Sequence, residues 1–180
     1  SGHVREVGVE LYQEMLRRAV DAARSGSSDD GDASVLEWTP QINLGLEVRI
    51  PDDYVTDLTV RLSLYRRIAN LDVETDADSL MAELVERFGH VPDSVRNLFA
   101  VIELKHLCKR VNIDRIDAGP KGVSMAFHNN DFTRPDQLVA WIAGKAGSVQ
   151  LRADHKLVVQ QSMPKPETRP AICKEIVQEL

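Results

Sequence analysis

Two hydrophobic periods run along this chain, a helical one first and a mixed one later, and their order sets the expected fold. Residues 7–20, VGVELYQEMLRRAV, put Leu11, Met15 and Ala19 on one line. Tyr12, Leu16, Val20 and Ala23 form the next, so the predicted helix carries a stripe wide enough to require a packed surface. Periodicity is then lost. Residues 24–40 are rich in Ser, Gly and Asp, and a flexible loop is expected there, most mobile over 25–34. Such a segment buries too little apolar surface to offset its ordering entropy. In INLGLEVRI, residues 42–50, Ile42, Leu44, Leu46, Val48 and Ile50 alternate with polar residues or Gly, which predicts a strand with one buried face.

Pro51 ends that strand, and Asp52 or Asp53 is the expected N-cap of a helix with apolar positions Leu58, Leu62, Tyr65 and Ala69. Thr75 with Asp78 has the form of a capping box for a further helix through Phe88, with Gly89 as its left-handed stop. Pro92 opens a long helix to about Arg110, apolar at Val95, Leu98, Phe99, Val101, Ile102, Leu104 and Leu107 and therefore central to the core. The last third changes in kind. IDRIDAGPKGVSMAFH reads as a strand, a turn on Gly119, Pro120 and Gly122, and a strand with Val123, Met125 and Phe127 on one face. Thr133 with Asp136 predicts a capped helix containing Leu138 and Trp141 and ending near Gly144. Residues 149–151 and 157–160 read as short strands about the turn RADH, and MPKPETRP as a stiff connector. Residues 171–180 form the expected last helix, with Ile172, Ile176 and Leu180 on one face. The pattern predicts an α+β fold, a helix-rich single domain with a small mixed or antiparallel sheet and a C-terminal helix.

Composition narrows what such a fold does. At 180 residues, 43% hydrophobic and 28% charged, the chain can bury one sizeable core. Asp and Glu number 28 against 22 for Lys and Arg, a net charge of −6, which argues against a surface built as a whole for nucleic acid. Cys108 and Cys173 are the only cysteines, and no run resembles a secretory or membrane-spanning segment. The expected compartment is a reduced cytoplasm, with Cys108 as a small buried hydrophobe and Cys173 in the final helix.

Catalytic spacings are missing. AGPKGVS departs from the phosphate loop, because Gly119 and Gly122 are three apart and Lys121 precedes the second Gly. His106 and Cys108 sit two apart on a predicted helix and point about 200° from each other, so they share no metal by local geometry. No cofactor or metal is expected. Arg61, Arg66 and Arg67 crowd one helix around Tyr65 and read either as a phosphate patch or as a solvated face. ELVER differs for a geometric reason. With Glu83 at zero, Glu86 lies near −60° and Arg87 near +40°, while Met81, Leu84, Val85 and Phe88 fall between about 100° and 200°. Two carboxylates and a guanidinium thus share one polar face, with Glu83 and Arg87 in the favourable i, i+4 order. That face reads as a solubilising surface or as one that docks against complementary charge.

VGVELYQEMLRRAV, RIPDDYV, RLSLYRRIA, ELVERFGHVPDSVRNL and IELKHLCKRVNI occur in this order and at spacings that resemble the C-terminal (TRCF) domain of the bacterial transcription-repair coupling factor family, Mfd. The resemblance covers residues 1–130 well and the remainder loosely. It implies that residues 1–8 are the junction from an upstream ATP-driven DNA-translocating motor and that residues 9–180 are the regulatory domain. It further implies a regulatory domain that is itself no enzyme. Its partner would be the UvrB-like module of the same polypeptide, where it masks the UvrA-binding surface and restrains the motor that displaces stalled RNA polymerase from DNA. The family's contact motif falls on Glu83, Glu86 and Arg87; Glu86 stands where Asp is usual, and His90 where an apolar residue or Pro is commoner. Two other classes remain. A nucleic-acid module would use Arg61, Arg66, Arg67, Lys105, Lys109 and Arg110, and a small hydrolase would need a clustered ionisable pair that the spacing does not supply.

Overall fold

A computed structural model describes residues 38–71 and 74–180. The expected helix at 7–20, the junction at 1–8 and the loop over 24–37 lie outside these residues. Five helices and five strands are present among the described residues: β1 (Gln41–Asn43), α1 (Leu58–Ala69), α2 (Glu74–Phe88), α3 (Asp93–Arg110), β2 (Ile113–Gly119), β3 (Gly122–Phe127), α4 (Pro135–Gly144), β4 (Val149–Leu151), β5 (Leu157–Gln160) and α5 (Arg169–Glu179). The class is α+β, as expected. No helix among the described residues is long and apolar enough to cross a membrane.

The chain divides into two compact units, and the division falls inside α3. Described residues of the first are in Glu47–Phe99, which holds α1, α2 and the start of α3. Leu64, Ile68, Leu80, Leu84, Val91 and Val95 are buried there. The second comprises Trp38–Leu46 and Ala100–Leu180 and contains the sheet, in the order β1-β2-β3-β5-β4. β1 runs parallel to β2 and the remaining pairs are antiparallel, so the sheet is mixed. The β2–β3 hairpin closes on Gly119 opposite Gly122 around Pro120 and Lys121, and Val123, Met125 and Phe127 point to the buried face as the alternation requires.

Several expected boundaries move. The strand expected over 42–50 pairs only through Asn43, although Leu44 and Ile50 are buried in the predicted phase. Gly45 ends it: its φ of +69° turns the chain, and its amide donates to Asn43 Oδ1 at 3.3 Å. Asp52 and Asp53 do not cap α1. Tyr54 and Val55 donate back to the Pro51 carbonyl in a turn, and Asp57 is the N-cap, its Oδ1 accepting from the Val60 amide at 3.0 Å. The buried line of α1 is Leu64 and Ile68, while Leu58 is 54% exposed, so the core stripe lies beside the one expected. Thr75 is already inside α2 and Thr133 precedes an uncapped α4 with Pro135 at its first turn, so neither capping box forms. α5 begins two residues earlier than expected and buries Cys173, Ile176 and Val177.

Gly89 stops α2 at a φ of +86°, and Pro92 precedes α3, both as expected. Cys108 and Cys173 are buried, and burial pushes their thiols up to about 12 and about 11. Trp38, within the stretch expected to be loop, stacks on His128 with ring centroids 4.4 Å apart.

Candidate functional site

The ELVER face belongs to α2, whose apolar residues Leu80 and Leu84 are buried while Glu86 and Arg87 stand in solvent. Glu83 is half-buried, and its carboxylate is the centre of a two-helix network. Arg67 of α1 reaches it with both ends of the guanidinium fork, Nη1 to Oε1 at 2.8 Å and Nη2 to Oε2 at 2.6 Å. Arg87 adds Nη1 to Oε1 at 2.9 Å, which realises the i, i+4 pair. The Arg67 fork and then the Arg87 bond hold the Glu83 carboxyl down to about 2. The same contact raises Arg67.

Local packing fixes the rest of this face. The Arg87 guanidinium lies 4.9 Å over the Phe88 ring, and Phe88 meets Tyr54 edge-on at 5.7 Å. The Tyr54 hydroxyl shares its proton between the carbonyls of Gly89 at 3.1 Å and Leu84 at 3.2 Å, tying the turn after Pro51 to the end of α2. Glu86 makes no ion pair with a described residue. Beside the Arg67–Glu83 bridge a cleft of about 530 Å³ opens between α1 and α2, lined by Ser63, Arg66 and Asn70 on one side and Asp76 and Ser79 on the other.

The three residues singled out on the sequence therefore share one face, and the structure adds Arg67. Sequence spacing could not assign it. Arg67 sits two residues from the end of α1, and a straight antiparallel hairpin would level it with about Asp76, yet it pairs with Glu83 two turns further on. Its membership of the Arg61, Arg66 and Arg67 cluster was the available signal.

Of the arginine cluster, Arg66 and Arg67 line that cleft and Arg61 does not. Arg61 donates to the Val55 and Thr56 carbonyls at 2.7 and 3.2 Å, and Arg67 is held by Glu83. Of the other basic candidates, Lys105 has its ammonium pulled below the usual range by burial, and Lys109 lies 5.2 Å over the Trp38 ring. Among the described residues, no group of His, Cys, Asp and Glu is placed to hold a metal ion.

The TRCF domain family matches residues 44–138, just over half of the chain and inclusive of every residue of this network. The chain belongs to the TRCF domain family. The transcription-repair-coupling factor of Rickettsia conorii is 38% identical over 159 residues, covering 88% of this chain and 14% of that protein. The Escherichia coli transcription-repair-coupling factor is 27% identical over 180 residues, all of this chain and 16% of its own length. This TRCF domain thus spans about one seventh of the curated relatives it matches. A crystal structure of the C-terminal domain of transcription-repair coupling factor shares the fold, with a TM-score of 0.60, 20% identity, and coverage of 79% of this chain and 93% of that one.

Proposed function

We propose that this TRCF domain is a regulatory docking module of a transcription-repair coupling factor. It packs on the UvrB-like module of the same polypeptide, masks the UvrA-binding surface there, and restrains the ATP-driven DNA translocase that removes stalled RNA polymerase. The observation that carries this reading is the exposed, braced charge face of α2: Arg87 fixed between Glu83 and Phe88, with Glu86 beside it and Glu83 gripped by Arg67. A face of preset charges suits recognition of a complementary surface, since less side-chain freedom is lost on contact. A nucleic-acid role is less well supported, because Arg61 and Arg67 already serve intramolecular partners.

The test is charge reversal on the full-length protein, Glu83→Arg, Glu86→Arg and Arg87→Glu together. Like charges then face a partner surface made for the opposite signs, and breaking such desolvated pairs weakens docking by about 2 to 5 kcal/mol. UvrA binding and ATP turnover without polymerase should both rise, while the reversed 180-residue chain still gives a cooperative melt. Wild-type values of both activities in a folded variant would remove this face from the contact.

A further inference from the structure

Three charges on this face are not equivalent. Both oxygens of Glu83 already accept from guanidinium groups, Oε1 from Arg67 and Arg87 and Oε2 from Arg67. Glu86, one turn away and exposed, pairs with no described residue. We propose that Arg67 is a fourth residue of the docking face, a positioning residue that holds Glu83 as the internal counter-ion of Arg87 and leaves Arg87 and Glu86 as the charges a partner reads. The inference rests on the docking reading above and specifies the surface that fits it.

Arg67, Glu83 and Arg87 together carry one net positive charge, and Glu86 is a separate negative one. A complementary partner therefore presents an acidic side chain to the guanidinium edge and a basic one to Glu86, rather than a basic group aimed at Glu83. Arg67 suits the task through shape as well as charge. Its planar fork meets both Glu83 oxygens at once, at 2.8 and 2.6 Å, and so fixes the plane of the carboxylate as well as its position. Lysine supplies a single point charge and leaves that plane free. With the plane fixed, Oε1 stands where Arg87 Nη1 meets it at 2.9 Å, and the Phe88 ring supports the same guanidinium from below at 4.9 Å. Arg67 touches the partner only through what it does to Glu83 and Arg87.

The experiment is a double-mutant cycle in the full-length protein with Arg67→Gln, Glu83→Gln and both, alongside Arg67→Lys and the triple reversal. UvrA binding and polymerase-free ATP turnover report docking, and carbon-detected NMR titration of Glu83 in the 180-residue chain reports positioning. Arg67→Gln should raise both activities about threefold to tenfold, and Arg67→Lys should reverse less than about half of that rise, because the fork is absent. In the Glu83→Gln background Arg67→Gln should add less than about twofold, the signature of a residue acting through another. The Glu83 titration should move from about 2 toward 4.5 in Arg67→Gln. Full additivity, wild-type activities in Arg67→Gln, or an unmoved Glu83 titration overturns the inference. A silent triple reversal sinks the docking reading and this one together. An active triple reversal beside a silent Arg67→Gln sinks this one alone.

Discussion

Arg169 is a buried guanidinium that meets carbonyls instead of a carboxylate, and its removal gives a stability prediction with few moving parts. Only 6% exposed, it donates Nε to the Met163 carbonyl at 3.1 Å and Nη1 to the Leu44 carbonyl at 2.9 Å. These bonds join the end of β1 to the connector before α5, and Leu44 and Arg169 stand 125 positions apart in sequence. Met fills a similar volume and donates nothing, so Arg169→Met leaves both carbonyls in place among the buried residues Leu44 and Met163. Hydrogen bonds from a charged donor are worth about 1.5 to 3 kcal/mol each, and the variant also escapes the cost of burying the charge, so the net loss should be about 2 to 5 kcal/mol. For a chain of this length that is about 4 to 20 °C in Tm. Arg169→Lys should fall between, since one ammonium on a shorter reach cannot serve both carbonyls in the fork's geometry. Thermal melts at neutral pH decide the matter. If Arg169→Met melts within about 2 °C of the parent, the two bonds merely offset the desolvation of the charge, and the cross-connection adds nothing to the fold.

Gly122→Ala should also destabilise the sheet, because a Cβ there would stand 2.2 Å from the Val159 carbonyl oxygen; overpacking of this kind costs about 1 to 3 kcal/mol, and an unchanged Tm would mean that β5 can yield. Cys108 and Cys173, with thiols pushed up to about 12 and about 11, should resist an aromatic disulfide reagent at pH 8 in the native chain and react at once in guanidinium. Raised folded values place the stability they contribute below the ordinary thiol range, near 9, and remove it as pH climbs through 11 to 12; Tm should fall over that alkaline window, and reaction of either thiol at an exposed-thiol rate in the native chain would refute their burial.

What the sequence carried best was period and punctuation. The α3 stripe, the hairpin on Gly119 and Gly122, and the stop at Gly89 follow from spacing and backbone preference alone, and all three are present. Errors gathered where two local signals competed. Residues 42–50 have the alternation of a strand and largely its burial, but the Asn43 side chain and Gly45 turn the backbone before a ladder can extend. Thr133 had the form of a cap, and Pro135 with its preset φ took the first turn instead. Strand order was beyond reach, since β1 lies beside β2 only after 69 residues of helices and turns, a pairing that no local pattern encodes.

The charge face shows the same division between what a helix decides for itself and what a neighbour decides for it. Glu83 and Arg87 are four apart on α2, so their pairing is a property of the helix and was legible from spacing. Arg67 reaches Glu83 from α1, and that contact depends on how two helices cross, which spacing does not fix. The consequence concerns function. Side chains exposed by 45%, 32% and 44% are screened by water, so the Arg67, Glu83 and Arg87 network contributes little to holding α1 on α2, a task that falls to buried residues such as Leu64, Ile68, Leu80 and Leu84. Charges that the fold scarcely needs can be reversed without unfolding it. Any large effect of reversal in the full-length protein would therefore reflect a contact beyond this domain, which is what makes the face a usable probe of docking.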